Sequence, residues 1–129
     1  MLQYYKSGFK IEKILLLLLF AFASCNNQNC SDINNKTFST YSEAKQYVET
    51  FDFQLSEEEN LLLSSWMKKA NYYSCDGLVG YFTYETKNRK NYIYRNVPMK
   101  VWQGFKNADS PGAFYNENIK GRFVLVIDK

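Results

Sequence analysis

The sequence predicts an α+β fold: a small antiparallel sheet of about four strands with a packed helix, preceded by an N-terminal helix. Three observations predict it. Runs rich in aromatic and β-branched residues, Trp66 to Tyr73, Leu78 to Glu85 and Tyr92 to Val97, are separated by short polar turns. Apolar residues recur at helical spacing after Thr40 and again after Pro98. Aromatics make up 18% of the 129 residues, and each buried ring removes roughly 150 to 250 Å² from water, so a short chain can still build a core.

Taken in order, the chain opens on a segment that reads as an export signal, residues 1–24. Lys6, Lys10 and Lys13 form a basic region, Ile14 to Ala23 an apolar one, and small residues lead into Cys25. Ten apolar residues span about 15 Å as a helix, half of a hydrocarbon core of ~30 Å, which is short for an anchor. Phe22-Ala23-Ser24-Cys25 has the form of a bacterial lipobox, in which Cys25 takes lipid and becomes the mature N-terminus. Ala21-Phe22-Ala23 offers a second cleavage site that would release a soluble protein. Residues 25–36 are polar and rich in Asn, as suits a flexible tether.

Residues 37–63 read as an N-terminal helical extension. Thr40 with Glu43 makes a capping box, and Tyr41, Ala44, Tyr47, Val48 and Phe51 follow at helical spacing, predicting a helix over 41–50. From Asp52 to Trp66 the signals conflict. Ser56 and Glu59 suit a second short helix or a loop, while Leu61 to Trp66 suits the start of a strand.

Ser74-Cys75-Asp76-Gly77 between the first two β runs is a hairpin signal, because Gly accepts positive φ. Thr86 to Asn91 is a second polar turn, so the three runs form a meander. Pro98 suits a helix's first turn, with Val101, Trp102, Phe105 and Ala108 on the face that covers the sheet. Asp109-Ser110-Pro111-Gly112 ends that helix. Phe114 to Ile119 suits one more helical turn, and Arg122 to Ile127 a final strand with Phe123, Leu125 and Ile127 on one face.

Charge is divided along the chain. Residues 25–59 hold two basic and seven acidic residues, whereas 60–129 hold eleven basic and five acidic. The second half therefore offers a basic face that can meet phosphate, anionic lipid or acidic glycan.

The chain has no histidine, which removes imidazole as general base, triad member or metal ligand. It shows no zinc spacing of cysteines and no phosphate-binding loop, so no metal or cofactor is expected. Carboxylate pairs such as Glu57 with Glu59, or Asp109 with Glu117, remain the chemistry open to an enzyme acting on an envelope polymer. With Cys25 lipidated, Cys30 and Cys75 are left to pair in an oxidising compartment. The stronger functional signal is aromatic and basic: Tyr81, Tyr84, Tyr92, Tyr94 and Arg95 lie on or beside a hairpin that also carries Lys87, Arg89 and Lys90. Rings that stack and cations that meet phosphate can hold a single-stranded nucleic acid, although strand alternation sends about half of such rings into a core.

From Ser64 onward the order of features resembles the KTSC domain family, a short module named for its occurrence at the C-terminus of some lysyl-tRNA synthetases. The residues that carry the resemblance are Ser64-Ser65, Tyr92-Ile93-Tyr94, Val97-Pro98, Phe105, Ala108, Ser110 with Gly112, and FYNENIKGRF from Phe114 to Phe123. They cover 64–129, and SSW, YYSCDG and FYNENIKGRF look like an exported bacterial lipoprotein branch of that family. The synthetase association implies RNA as a partner, whereas the export signal takes this chain away from cytoplasmic RNA. The resemblance makes Tyr92, Tyr94 and Asn116 the candidate binding positions, with Lys120 and Arg122 the nearest cations. The expected protein is thus a non-enzymatic lipoprotein, held to the membrane through Cys25 on the periplasmic side. Its partner is an envelope ligand or protein, with nucleic acid as the alternative.

Overall fold

The computed structural model describes residues 32, 33 and 35–127. The expected signal, the Cys25 lipidation site and Cys30 lie outside the described residues. Among the described residues no helix is long and apolar enough to cross a membrane.

Five strands form one antiparallel sheet in the order β1-β2-β3-β4-β5. They are β1 (Leu55–Asn60), β2 (Met67–Ser74), β3 (Val79–Thr86), β4 (Asn91–Pro98) and β5 (Val124–Leu125). Helix α1 (Tyr41–Thr50) precedes the sheet, and α2 (Met99–Asn107) and α3 (Pro111–Asn118) stand between β4 and β5. The α+β class and the meander are as the sequence predicts, with one strand more than the four expected.

That extra strand is β1, where the sequence admitted a helix or loop. Its side chains alternate between half-buried and exposed from Leu55 to Asn60, the period of a strand with one covered face. Ser56 caps nothing here, and Leu61 to Trp66 is a loop that leaves Leu62 and Leu63 in solvent. Ser110 also acts differently from its reading as a helix end. Its hydroxyl accepts from the Ala113 N–H and opens α3, with Pro111 in the first turn. The final strand is two residues long, and beyond it Val126 and Ile127 pack on the opposite face from Phe123 and Leu125.

Both faces of the sheet are covered. Tyr72, Phe82, Tyr84 and Tyr94 point to one face and meet Trp102, Phe105, Tyr115 and Ile119 of the α2–α3 region. Tyr81 and Ile93 point to the other and meet Ala44 and Val48 of α1, with Ile33. A bulge in β4 keeps the larger core continuous. The pairing with β3 shifts register between Gly80 and Phe82, and Asn96 takes a φ of 56°, a conformation Asn tolerates better than most residues. The extra residue returns Val97 to the face of Tyr94, where its carbonyl accepts from the Tyr72 hydroxyl at 2.7 Å.

Candidate ligand groove on the edge of strand β4

The β3–β4 turn is built by Thr86. Its hydroxyl accepts from the Lys90 N–H at 3.0 Å, its carbonyl accepts from the Arg89 N–H at 2.9 Å, and Arg89 sits at φ 63°. This lifts Lys87, Arg89 and Lys90 into solvent together. Arg89 and Lys90 then lead into a groove of about 630 Å³ lined also by Tyr41, Asn91, Tyr92, Ile93, Leu125, Val126 and Ile127. Lys87 is on the same turn but outside the groove wall, its N–H held by the Trp66 carbonyl at 2.9 Å.

The groove combines an apolar lining with two cations at its mouth. Tyr92 is half-buried and stacks on Tyr84 with ring centroids 4.9 Å apart. The Tyr41 hydroxyl is buried with no hydrogen-bond partner among the described residues. Its burial, with Glu49 nearby, pushes its pKa up, so it remains a neutral donor. Arg95 points to the α1 face, and its guanidinium donates to the Val126 carbonyl at 2.8 Å, fixing the turn after β5 rather than presenting a charge. An apolar groove with cations beside it suits an anion that carries apolar or planar parts.

The other sequence candidates separate. Tyr94 is buried, and its hydroxyl meets that of Tyr115 at 2.8 Å, as does that of Tyr84. Tyr81 is buried, donating to the Ile33 carbonyl at 2.7 Å. Of the rings expected on the hairpin, Tyr92 alone faces the groove. Asn116 is exposed on α3 and lines a second groove of about 740 Å³ between the β1–β2 loop and the α2–α3 link, shared with Leu62, Leu63, Trp66 and Asp109. Lys120 and Arg122 are exposed beyond α3 and line neither groove; Arg122 Nε donates to the Glu117 carbonyl at 2.6 Å.

The carboxylates are spread in the same way. Glu57 accepts from Lys106 Nζ at 2.7 Å and Trp102 Nε1 at 2.6 Å, and these bonds hold its carboxyl below the usual range. A carboxylate held ionised is a poor general acid. Glu59 and Asp109 line the second groove, and Glu117 does not. No group of three His, Cys, Asp or Glu able to hold a metal ion occurs among the described residues. Cys75 is disulfide-bonded.

Sequence reasoning missed the contributions of Tyr41, Leu125, Val126 and Ile127. Their apolar character was legible, but the approach of α1 and the chain after β5 to one strand edge was not.

Residues 82–123, from within β3 to the residue before β5, match the family model of the KTSC domain. The match takes in Tyr92, Tyr94, Val97-Pro98, Phe105, Ser110, Gly112 and the Phe114–Phe123 run, and begins after Ser64-Ser65. The crystal structure of the KTSC domain protein YPO2434 from Yersinia pestis is similar at 25% identity, covering 55% of this chain and 94% of that one, with a TM-score of 0.47. No curated protein matches the chain.

Proposed function

We propose that this chain is an exported, non-enzymatic lipoprotein, anchored through lipid on Cys25, whose KTSC domain binds an anionic ligand or protein at the periplasmic side of the cell envelope. The observation that carries the binding role is the groove on β4. It brings Arg89 and Lys90 to an apolar lining that includes Tyr92 and Leu125. The absence of histidine supports binding over hydrolysis. Export is supported by the basic, apolar and small-residue regions that end at Cys25, and by the disulfide at Cys75, since such bonds persist in oxidising compartments.

Two measurements test this reading. Mass spectrometry of the protein from bacterial membranes should find lipid on Cys25, lost in Cys25→Ala, and disulfide mapping should pair Cys75 with Cys30. A Cys75–Cys25 bond would leave no sulfur for the lipid and would end the lipoprotein reading. Retention of envelope extract by the purified chain should fall in the Arg89→Gln, Lys90→Gln double variant.

Single-stranded nucleic acid is the second reading, favoured by Tyr92 beside Arg89 and Lys90. With Tyr81, Tyr84 and Tyr94 engaged in the core, one ring remains for stacking. Titration with a single-stranded oligonucleotide at low salt should therefore be flat. Binding that weakens steeply with salt, with a smaller slope in a Lys87, Arg89 and Lys90 triple substitution, would reverse the order of the two readings.

A further inference from the structure

The β1–β2 loop and the β3–β4 turn stand at the same end of the sheet, because alternate connections of an antiparallel meander share an end. They also touch: the Trp66 carbonyl accepts from the Lys87 N–H at 2.9 Å. The loop is pinned at both ends. Leu61 is buried and its N–H donates to the Lys68 carbonyl at 3.0 Å, while the Ser64 N–H donates back to the Leu61 carbonyl at 3.1 Å. Ser64 Oγ then accepts from the Met67 N–H at 3.1 Å. Leu62 and Leu63 are the central residues of the turn so closed, and both stand almost wholly in solvent. Central turn positions favour Gly, Pro, Asn, Asp and Ser. Two adjacent leucines fixed there in water form an apolar patch of the kind that serves as an interaction site.

Charge lies on both sides of these leucines and is opposite in sign. On the β1 side, Glu59 and Asp109 line the second groove together with Leu62 and Leu63. Neither carboxylate makes a hydrogen bond or ion pair among the described residues, whereas Lys106 in the same groove is spent on Glu57 at 2.7 Å. On the β3 side, Lys87 is exposed, lies outside the β4 groove, and has no ion pair among the described residues. β1 and β3 are two strand spacings apart, so about 10 Å of sheet separates the acids from the cation.

Such a surface is complementary to itself. An isologous contact sets residue i of one copy against residue j of the other, and j against i, so a two-fold axis at the leucines brings each charge to its opposite. We propose that this end of the sheet docks on a second copy of the chain. Leu62 and Leu63 of both copies pack at the centre, and Lys87 of each copy meets Glu59 and Asp109 of the other. A second copy suits this end better than an anionic lipid surface, which would repel the two unpaired carboxylates beside the leucines. Arg89 and Lys90 line the β4 groove, so self-docking goes beyond the binding role proposed above.

The test is photo-crosslinking of the full-length chain in the bacterial cells that express it, with p-benzoylphenylalanine in place of Leu63. Illumination should give a product of twice the chain's mass. The same residue in place of Leu78, which is exposed on the β2–β3 turn at the opposite end of the sheet, should not. Lys87→Glu sets like charges against each other and should lower the yield by about tenfold or more. Co-expression of that chain with the Glu59→Lys, Asp109→Lys chain restores opposite charges across the contact and should recover the product.

Absence of the doubled product overturns the proposal, as does one formed equally from position 78. A product of another mass at position 63 reveals a different partner and also overturns it. Survival of the doubled product in Lys87→Glu, or failure of the mixed pair to recover it, overturns the two-fold pairing of charges.

Discussion

Tyr115 is where three aromatic hydroxyls meet: its oxygen lies 2.8 Å from that of Tyr84 and 2.8 Å from that of Tyr94. Replacing it with Phe leaves two buried hydroxyls short of a partner. Tyr115→Phe is expected to cost about 1–3 kcal/mol in urea unfolding, with the β4 groove unaffected. Gly112 lies against the Trp66 indole, where an added Cβ would come within 2.7 Å of Nε1. Gly112→Ala should therefore destabilise by about 1–3 kcal/mol through overpacking. The buried tyrosines also set an alkaline limit. Burial pushes Tyr81 and Tyr84 up to about 12, so the folded state holds protons that the unfolded chain begins to release near pH 10. Their contribution is whole below about pH 10 and is lost as pH rises through about 12; a circular-dichroism titration should show unfolding within that window. Tyr92-Ile93-Tyr94 was legible as a strand signal. Which Tyr would remain partly open was not, because alternation assigns faces only relative to neighbours the sequence does not name.

Among the elements, β1 depends most on its partners. Its residues LSEEEN hold little β propensity, and Glu57 ties it to α2 through Lys106 and Trp102. Glu57→Ala removes the acceptor of the Trp102 N–H and should cost about 1–3 kcal/mol, read by thermal or urea unfolding. Glu57 titrates in the folded chain below its ordinary value of 4.5. Its contribution is therefore present above pH 4.5 and fades as pH falls through the lowered value, so acid should erase most of the difference between Glu57→Ala and the parent. The β1–β2 loop behaves oppositely: Leu62 is 85% exposed and Leu63 fully so. Changing both to Ser should move stability by no more than about 0.5 kcal/mol for each residue. Helix α1 was legible to its ends because its cap and apolar period are local. Thr40 Oγ1 accepts from the Glu43 N–H, and Glu43 reaches back to the Ser39 N–H. The sequence-level confusion over β1 has the opposite cause, since its strand form comes from pairing with β2.

For the whole molecule, covering both sheet faces explains how so aromatic a chain stays ordered. Trp102 stacks on Phe105 and on Tyr72, and Phe82 meets both Trp102 and Phe105 edge to face beneath α2. Trp102→Ala at this centre should cost about 3–5 kcal/mol and lower the whole urea transition rather than one element of it. The division of charge seen along the chain becomes a division in space. Glu57, Glu58 and Glu59 line the β1 edge, while Lys87, Arg89 and Lys90 occupy the β3–β4 turn. The envelope-retention experiment above belongs to this scale, because the groove draws on α1, β4 and the chain after β5 at once.

By itself the sequence determined the α+β class, the central meander, α1, and the aromatic and basic character of the β3–β4 hairpin. Each rests on information within one turn or one alternation of the chain. Tertiary structure alone decided that SEEEN becomes a strand and that Tyr84 and Tyr94 are spent in the core. It alone decided that Tyr41 and Ile127 meet Arg89 and Lys90 in one groove. The physical reason is shared: strand pairing, burial and edge exposure are set by residues distant in sequence, whose charges and apolar side chains are legible singly but whose meeting is not.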